Sequence, residues 1–559
     1  MICHLNKKSS QENEMKSKKP LVELRALSEK PANQRSYRLI EFYDCNVGKF
    51  RKMLILSSDF LEPRKVYAQL IDQGLQFSAS DKAIKKIIAP LKKTPEERVK
   101  LCERPGYVHI NKKLCYLTHN GKIQGKHDGI APMPYPESKA FYKGKSNKGI
   151  LSDWQTQIAS SSLNSPYIML AICSAFAGYC IYFTDVETGG FHLFGESSKG
   201  KSTALLVAAS IYGSKDYISD WNITEAALEE LAESRNHGLL ILDEVSLLDK
   251  SGKDAAQKMQ KIVYMLGAEG GKQRSSFYQL RKAIWRLNVL SNGELGLNEQ
   301  AANGKIQRNN GEKVRFIDIP VDCESNMGIF ETVPDGLTPS EYAENIKSAC
   351  RKHYGVAGSE FVEKMLAKGT KYIKKQLKKY MDDFLIYHNI SGLNGIEKRI
   401  ATRFALLYAS GVLAVKLGIL PFTVSDVMSG ISSCYRKATG AQQSLELNAF
   451  FNNTFKQALK NKVIKLHECK IYTSKLKNEP VLSTQVNGEN VLAIDGEFLK
   501  LNIVHGYDSN MVLNVLENSG VLISESNKPK STRAITYKGK SVGRRYCLRE
   551  SGLFQLLVE

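Results

Sequence analysis

The sequence is poor in acidic residues and has no paired cysteines. Asp and Glu number 57 against 79 Lys and Arg, which leaves a formal charge of +22 over 559 residues and a pI near 9.3. That imbalance excludes an acidic solvating chain and points to a polyanionic partner, either nucleic acid or an anionic membrane surface. The 11 cysteines form no CxxC pair and no Cys/His cluster at zinc spacing, so neither a disulfide framework nor a structural zinc site is expected. Their scatter from Cys3 to Cys547 fits buried thiols in a reducing compartment. The first residues are polar and Lys-rich, without the apolar core of a secretory signal. Long hydrophobic runs are scarce, and the one membrane candidate is the uncharged stretch 167–183 (YIMLAICSAFAGYCIYF). As a helix it spans roughly 25 Å, short of a hydrocarbon core of about 30 Å. Its small residues Ala171, Ser174, Ala175, Ala177 and Gly178 suit close packing inside a protein. A buried helix, no membrane and a cytoplasmic location are therefore expected. No repeat recurs at a fixed period. A hydrophobic content of 42% and a charged content of 24% exclude a mainly disordered or fibrous chain.

The length predicts three or four domains. Residues 1–35, with eight basic and four acidic side chains, read as a basic flexible tail. Residues 36–150 alternate short strand-like runs (SYRLIEFY, RKMLILS, YVHI, LCYLT) with helical stretches, which predicts a small N-terminal α/β domain. Residues 151–325 hold the motifs that carry chemistry. Long helical periods over 326–450 predict a helical lid or bundle. The Lys/Asn-rich stretch 451–497 reads as a linker, and 498–559 as a compact unit of helices followed by a basic hairpin.

The strongest signal is GESSKGKST at 195–203, which fits G-x-x-x-x-G-K-[ST] between the strand FHLF and the helix KSTALLVAASIYG. Gly195 and Gly200 permit backbone angles that turn successive N–H groups of Glu196, Ser197, Ser198 and Lys199 inward as an anion nest at a helix N-terminus. Lys201 is placed to reach β- and γ-phosphates, Ser202 to ligate Mg²⁺, and Thr203 completes the motif. Downstream, LLILDEV (239–245) is an apolar run ending in two carboxylates, as expected of a buried parallel strand. Asp243 is the expected partner of hydrated Mg²⁺, and Glu244 the group that orients and polarises an attacking water. A phosphate-site strand needs only the first acid. The second suggests hydrolysis instead of phosphoryl transfer to another acceptor.

Between these two motifs lies another strand-like piece, 216–221 (DYISDW), and two more follow, 285–291 (WRLNVLS) and 314–320 (VRFIDIP). Five strands with one inserted between the motifs predict a P-loop NTPase core of the additional-strand class, built on a five-stranded parallel sheet. Asn292, at the tip of the fourth strand, is placed to position the water or the γ-phosphate.

With GESSKGKST, LLILDEV, WRLNVLSNGE and GEKVRFIDIPVD in that order, the middle of the chain resembles the AAA+, superfamily III-like helicase domains of phages and mobile genetic elements, long described as a domain of unknown function. The resemblance runs from about residue 45 to 450 and includes RPGYV at 104–108. It implies a ring-forming ATPase, about six subunits with ATP sites between neighbours, that moves DNA during replication or excision of a mobile element. It also implies that Arg315, before the last core strand, is an arginine finger, with Arg308 and Arg286 as competitors. Arg399 and Arg403 lie one helical turn apart, and Arg403 is taken as the lid's sensor of bound phosphate.

Two stretches suit nucleic acid. GAEGGKQRSS (267–276) is a glycine-rich loop that carries Lys272 and Arg274. Related ring helicases place a DNA-gripping hairpin at this point in the chain, which would put these cations against single-stranded DNA in the pore. The C-terminal unit reads as a winged helix: the helix SNMVLNVLENS (509–519) precedes two extended runs, AITY and RYCLR, around Lys538 and Lys540, with Arg544 and Arg545 following. Its eight basic residues from Lys528 to Arg549, with no acidic one among them, suit the phosphates of duplex DNA. The Lys-rich helix near 361–381 reads as a solvent face. The expected function is that of an ATP-dependent DNA helicase or translocase using ATP and Mg²⁺. The alternative is an ATP-switch replication initiator or loader that binds DNA without processive unwinding.

Overall fold

Alternation of apolar and charged residues in VELRALS, YRLIEFYD and KFRKMLIL builds the first sheet. The computed structural model describes residues 22–28, 35–76, 80–142, 147–245, 252–272, 282–306, 308–321, 327–390, 395–440, 481–499, 513, 516–517, 520–524, 532–537 and 540–551. The chain forms two compact units, Met1–Ala438 and Thr439–Glu559. In the first unit, β1 (Val22–Ser28), β2 (Tyr37–Asp44), β3 (Lys49–Leu56) and β4 (Arg98–Val99) pair in the order β3-β2-β1-β4. β1 therefore corrects the expected tail 1–35. It is an inner strand with Ala26 and Ser28 buried, and its ladder to β2 outweighs the polar composition around it. Ile40 and Phe42 pack on Val66, Leu70 and Ile84 of two short helices, giving the N-terminal part its own small core. Five further strands complete it: β5 (Leu101–Cys102), β6 (Gly106–Ile110), β7 (Lys113–Leu117), β8 (Ile123–Gln124) and β9 (Met133–Pro134). β6-β7-β8 form an antiparallel sheet, and β5 pairs in parallel with β9.

The central sheet comprises β10 (Gly189–Phe194), β11 (Ser219–Asp220), β12 (Leu239–Asp243), β13 (Asn288–Gly293) and β14 (Phe316–Pro320). Its order is β11-β12-β13-β10-β14 and every pairing is parallel, so all five strands present their C-terminal ends on one side. β13 lies in space between the strands of the two phosphate motifs, and β11 lies outside them. β11, β12 and β14 are shorter than their sequence runs, whereas β10 starts two residues before FHLF and β13 continues through Asn292 to Gly293. Gly190 is required here, because a Cβ would stand 1.9 Å from the Val289 carbonyl oxygen of the adjacent strand.

The apolar helix Pro166–Cys180 is buried at every residue, and Ser165 caps it by accepting from the Ile168 N–H. The stretch Pro166–Phe183, long and apolar enough to cross a membrane, is 94% enclosed within the protein. It packs between the central sheet and the long helix Gly395–Lys416. The helices Pro339–Lys352, Val356–Lys368, Thr370–Tyr387, Gly395–Lys416 and Val424–Thr439 match the helical periods expected after 326. They share one apolar core with the sheet, as where Phe191 meets Phe404 at 4.8 Å between ring centroids.

The second unit holds β15 (Val481–Val486), β16 (Glu489–Ile494), β17 (Arg533–Tyr537) and β18 (Lys540–Arg549), antiparallel in the order β15-β16-β18-β17. This corrects the expected linker 451–497, whose last part is a hairpin. Asn487 and Gly488 take positive φ (55° and 82°) and turn β15 into β16, the geometry a two-residue Asn-Gly loop favours. AITY pairs with Lys540–Arg544, the first half of β18, whereas Tyr546–Arg549 of RYCLR pair with β16. Of the expected helix 509–519, only Leu513, Leu516 and Glu517 are among the described residues, and both leucines are buried.

Candidate nucleotide site and nucleic-acid contacts

The loop 195–200 leaves β10 at the C-terminal side of the sheet and enters the helix Lys201–Ser210. Gly195, Ser198 and Gly200 adopt φ of 148°, 62° and 91°. A Cβ on Gly200 would approach Ile329 Cγ1 to 2.9 Å, so glycine serves both the turn and the packing. Lys201 Nζ donates to the carbonyls of Gly195 (2.7 Å) and Glu196 (2.6 Å). Burial lowers its pKa, against the opposing pull of Glu244, Glu294 and Asp243. Glu196 pairs with Lys199 at 3.2 Å, and Thr203 is buried.

Three polar groups meet beside this loop. Ser202 Oγ donates to Asp243 Oδ1 at 3.4 Å, and Asn292 Nδ2 donates to Ser202 Oγ at 3.3 Å. Asn292 Oδ1 accepts from the Glu244 N–H at 2.7 Å, holding Glu244 at a φ of 55°. A non-glycine residue kept in that region by a side-chain bond is the kind of local strain that collects at functional sites. A hydroxyl beside a carboxylate supplies the hard oxygen donors that hydrated Mg²⁺ takes, so Ser202 and Asp243 fit that ion.

These residues open on a cavity of about 820 Å³. Glu196 through Thr203, Glu244 and Asn292 form one wall, and Met327, Gly328, Phe330 and the start of the helix Pro339–Lys352 form the other. The second wall was not anticipated. Ile329 donates its N–H to the Lys199 carbonyl at 2.8 Å, and Gly328 (φ 67°) leaves 2.5 Å between that oxygen and a hypothetical Cβ. Thr338 and Glu341 form a capping box there, which TPSE in the sequence announces. Glu294 was also missed: its carboxylate accepts from Ser197 Oγ, and its carbonyl from the Gly195 N–H at 3.1 Å. Its position directly after the Asn292-Gly293 strand end was the available signal.

The arginines depart from expectation. Arg403 is buried and donates to the carbonyls of Val314 (2.6 Å), Glu187 (2.8 Å) and Thr188 (3.3 Å), all at the N-terminal side of the sheet. Its guanidinium also lies against Gly189, the first residue of β10, while the P-loop follows the last. Arg403 is thus a structural tie and not a sensor in its own subunit's cavity. Burial pushes its pKa down to about 10, so it stays charged at neutral pH. Arg315 precedes the edge strand β14 on that same side, half-buried, and donates to the Gly311 carbonyl at 3.1 Å. Arg308 is buried against Asp318 at 3.2 Å, Arg286 donates to the Thr184 and Val186 carbonyls, and Arg399 is exposed.

The loop carrying Lys272 begins as a hairpin. Gly270 bridges Ile284 in antiparallel sense, and Gly271 donates to the Ala283 carbonyl at 2.9 Å. Lys272 Nζ is paired with Glu225, and its N–H donates to Glu229 at 3.1 Å. Arg274 lies outside the described residues, as does Lys538. Lys540 opens β18, and Arg544 is exposed with Nε donating to Thr532 Oγ1 at 3.2 Å. Arg545 is a correction. It is 3% exposed, because strand alternation turns one of two adjacent arginines inward, and a buried guanidinium does not meet a phosphate.

The fold is shared with the active helicase Cch of SCCmec type IV, at a TM-score of 0.57 and 18% identity over 96% of this chain and 95% of that one. The C-terminal region of NrS-1 aligns over 72% of this chain and 90% of its own at 12% identity, with a TM-score of only 0.28. No curated protein matches the sequence. Residues 2–281, half of the chain, match the family model described as a domain of unknown function (DUF927). The chain belongs to the DUF927 family. The DUF927 match starts earlier than the resemblance suggested and ends before Asn292. It covers the N-terminal sheets, both phosphate motifs and the first side of the Lys272 hairpin.

Proposed function

We propose that the protein is an ATP-dependent DNA helicase or translocase of a phage or mobile element. The observation that carries this reading is the convergence of Lys201, Ser202, Glu244 and Asn292 on one cavity wall, with Asp243 bonded to Ser202, at the C-terminal side of a five-stranded parallel sheet. The loop N–H groups and Lys201 bind the triphosphate. Ser202 and Asp243 hold the hydrated Mg²⁺, which when bound offsets charge on the phosphate oxygens. Glu244 accepts a proton from the attacking water, and Asn292 fixes the backbone that aims Glu244. The fold likeness to Cch, itself a helicase, supports the motor reading, and the net charge of +22 and the hairpin that begins at Gly270 support a nucleic-acid partner.

In the AAA+ reading, about six subunits close into a ring with nucleotide between neighbours. Arg315, beside an edge strand, is the residue offered to the next subunit. Single-stranded DNA runs past Lys272 and Arg274, and the C-terminal unit holds duplex DNA as a winged helix through Lys538, Lys540 and Arg544. The decisive experiment measures ATP hydrolysis with and without single-stranded DNA beside unwinding of a forked duplex. Stimulated hydrolysis with strand separation is expected. Stimulation without separation would replace the motor by an ATP-switch initiator or loader, and no magnesium-dependent hydrolysis at all would remove both.

A further inference from the structure

The helix Thr370–Tyr387 carries five exposed lysines that neither site above uses. Lys371, Lys374, Lys375, Lys378 and Lys379 recur at i, i+3, i+4, i+7 and i+8, so they occupy one face over about 12 Å of helix. Ile373, Leu377 and Phe384 are buried on the opposite face. Among the described residues, none of the five lysines has an acidic partner within ion-pair distance. Asp382, exposed one turn beyond Lys378, ends the stripe, which leaves the first two turns wholly cationic; like charges one turn apart destabilise a helix, so these turns are suited to an external polyanion.

A second observation lies at the helix's start. A groove of about 410 Å³ opens there, lined by Gly369 and Thr370 and, from the N-terminal β-hairpins, by Lys112, Lys113 and Lys126. The first turn has no acidic residue and no side-chain cap, leaving the positive end of an 18-residue helix uncompensated. Two of the neighbouring carboxylates are already engaged: Asp128 pairs with Lys113 at 2.8 Å, and Glu363 accepts from the Gly125 N–H at 3.1 Å. Tyr372, 38% exposed, stands on the flank of the lysine face as a surface for stacking.

We propose that this groove and the lysine face form one track for the phosphodiester backbone of single-stranded DNA. Tyr372 on its flank offers a ring to unstacked bases, which a single strand presents and a duplex does not. Cations arranged around a concavity suit a threaded chain better than a flat anionic bilayer. The track is separate from the nucleotide cavity, so its test does not depend on hydrolysis.

The test is lysine acetylation footprinting of the full chain, without nucleotide, in the presence of oligothymidylate, the matched duplex or phosphatidylserine vesicles. Protection of Lys371, Lys375 and Lys378 by oligothymidylate, with Lys52 and Lys82 unchanged, is expected. Replacing all five lysines with Gln should weaken single-strand binding at least about tenfold and reduce the slope of log K against log salt by about 2 to 3.5. The Lys→Arg counterpart should bind as the parent does. Equal acetylation with and without oligothymidylate would overturn the proposal. Protection by duplex alone, or by vesicles alone, would overturn it equally, in favour of those partners. The footprint uses the parental chain and so remains decisive if the Gln variant does not fold.

Discussion

The two sides of the central sheet use polar side chains in opposite ways. At the C-terminal side, Ser202, Asp243, Asn292 and Lys201 bond to one another or to loop carbonyls beside an 820 Å³ cavity. At the N-terminal side, Arg403 and Arg286 spend their donors on carbonyls of Thr184, Val186, Glu187, Thr188 and Val314. The first arrangement can exchange partners for a triphosphate. The second satisfies buried carbonyls where chain segments enter the sheet. A charged residue in this parallel-sheet core is therefore informative about catalysis only once the side of the sheet it occupies is known.

The largest effect should come from the C-terminal side. Lys201→Ala removes the cation over the loop and should reduce magnesium-dependent hydrolysis at least about 100-fold, the scale seen when one transition-state donor is lost. Residual hydrolysis near the parental rate would break the comparison. Glu244→Gln should bind labelled ATP as the parent does yet turn over at least about 100-fold more slowly. Unchanged turnover would move the catalytic role to another carboxylate, with Glu294 the next candidate.

Arg403→Met should act in the opposite manner. It strips donors from three buried carbonyls and should cost about 3 kcal/mol, lowering the thermal midpoint while hydrolysis per folded molecule is retained. Loss of hydrolysis with an unchanged midpoint would restore the sensor role. A last effect concerns acid and spares the neutral-pH comparison. Burial pushes His119 and His237 down to about 3, whereas the unfolded chain takes up those protons near pH 6.5. Between these values the unfolded state holds more protons, so stability is full above about pH 6.5 and declines as pH falls toward 3. A midpoint measured from pH 7 to 4 should drop, and should drop less steeply in His119→Phe.

The phosphate motifs were legible because their chemistry is local: glycine spacing sets the loop, and LLILDE reads as a strand with its acids at one end. The number of central strands followed from counting strand-like runs, but their order did not: β13, and not the inserted β11, lies between the two motif strands. The arginines were not legible, because a carbonyl more than 200 residues away, that of Glu187, decides what Arg403 does. Strand β1 was hidden by its charges, which occupy the less buried face of an inner strand. The hairpin of β15 and β16 was visible as NG between VLSTQV and ENVLAI, and the surrounding Lys/Asn composition masked it. Arg545 needed the pleat: sequence counts charges, and only register divides them between core and water.

The bond from the Ile329 N–H to the Lys199 carbonyl, sealed by the side-chain-free Gly328, has a mechanical meaning. It fastens the loop that would hold phosphate to the segment leading into the helix Pro339–Lys352. A shift of the loop by even a fraction of an ångström must either break that tether or drag the helical half along with it. The chain has thus placed a joint, and not a gap, between its chemistry and its largest lever.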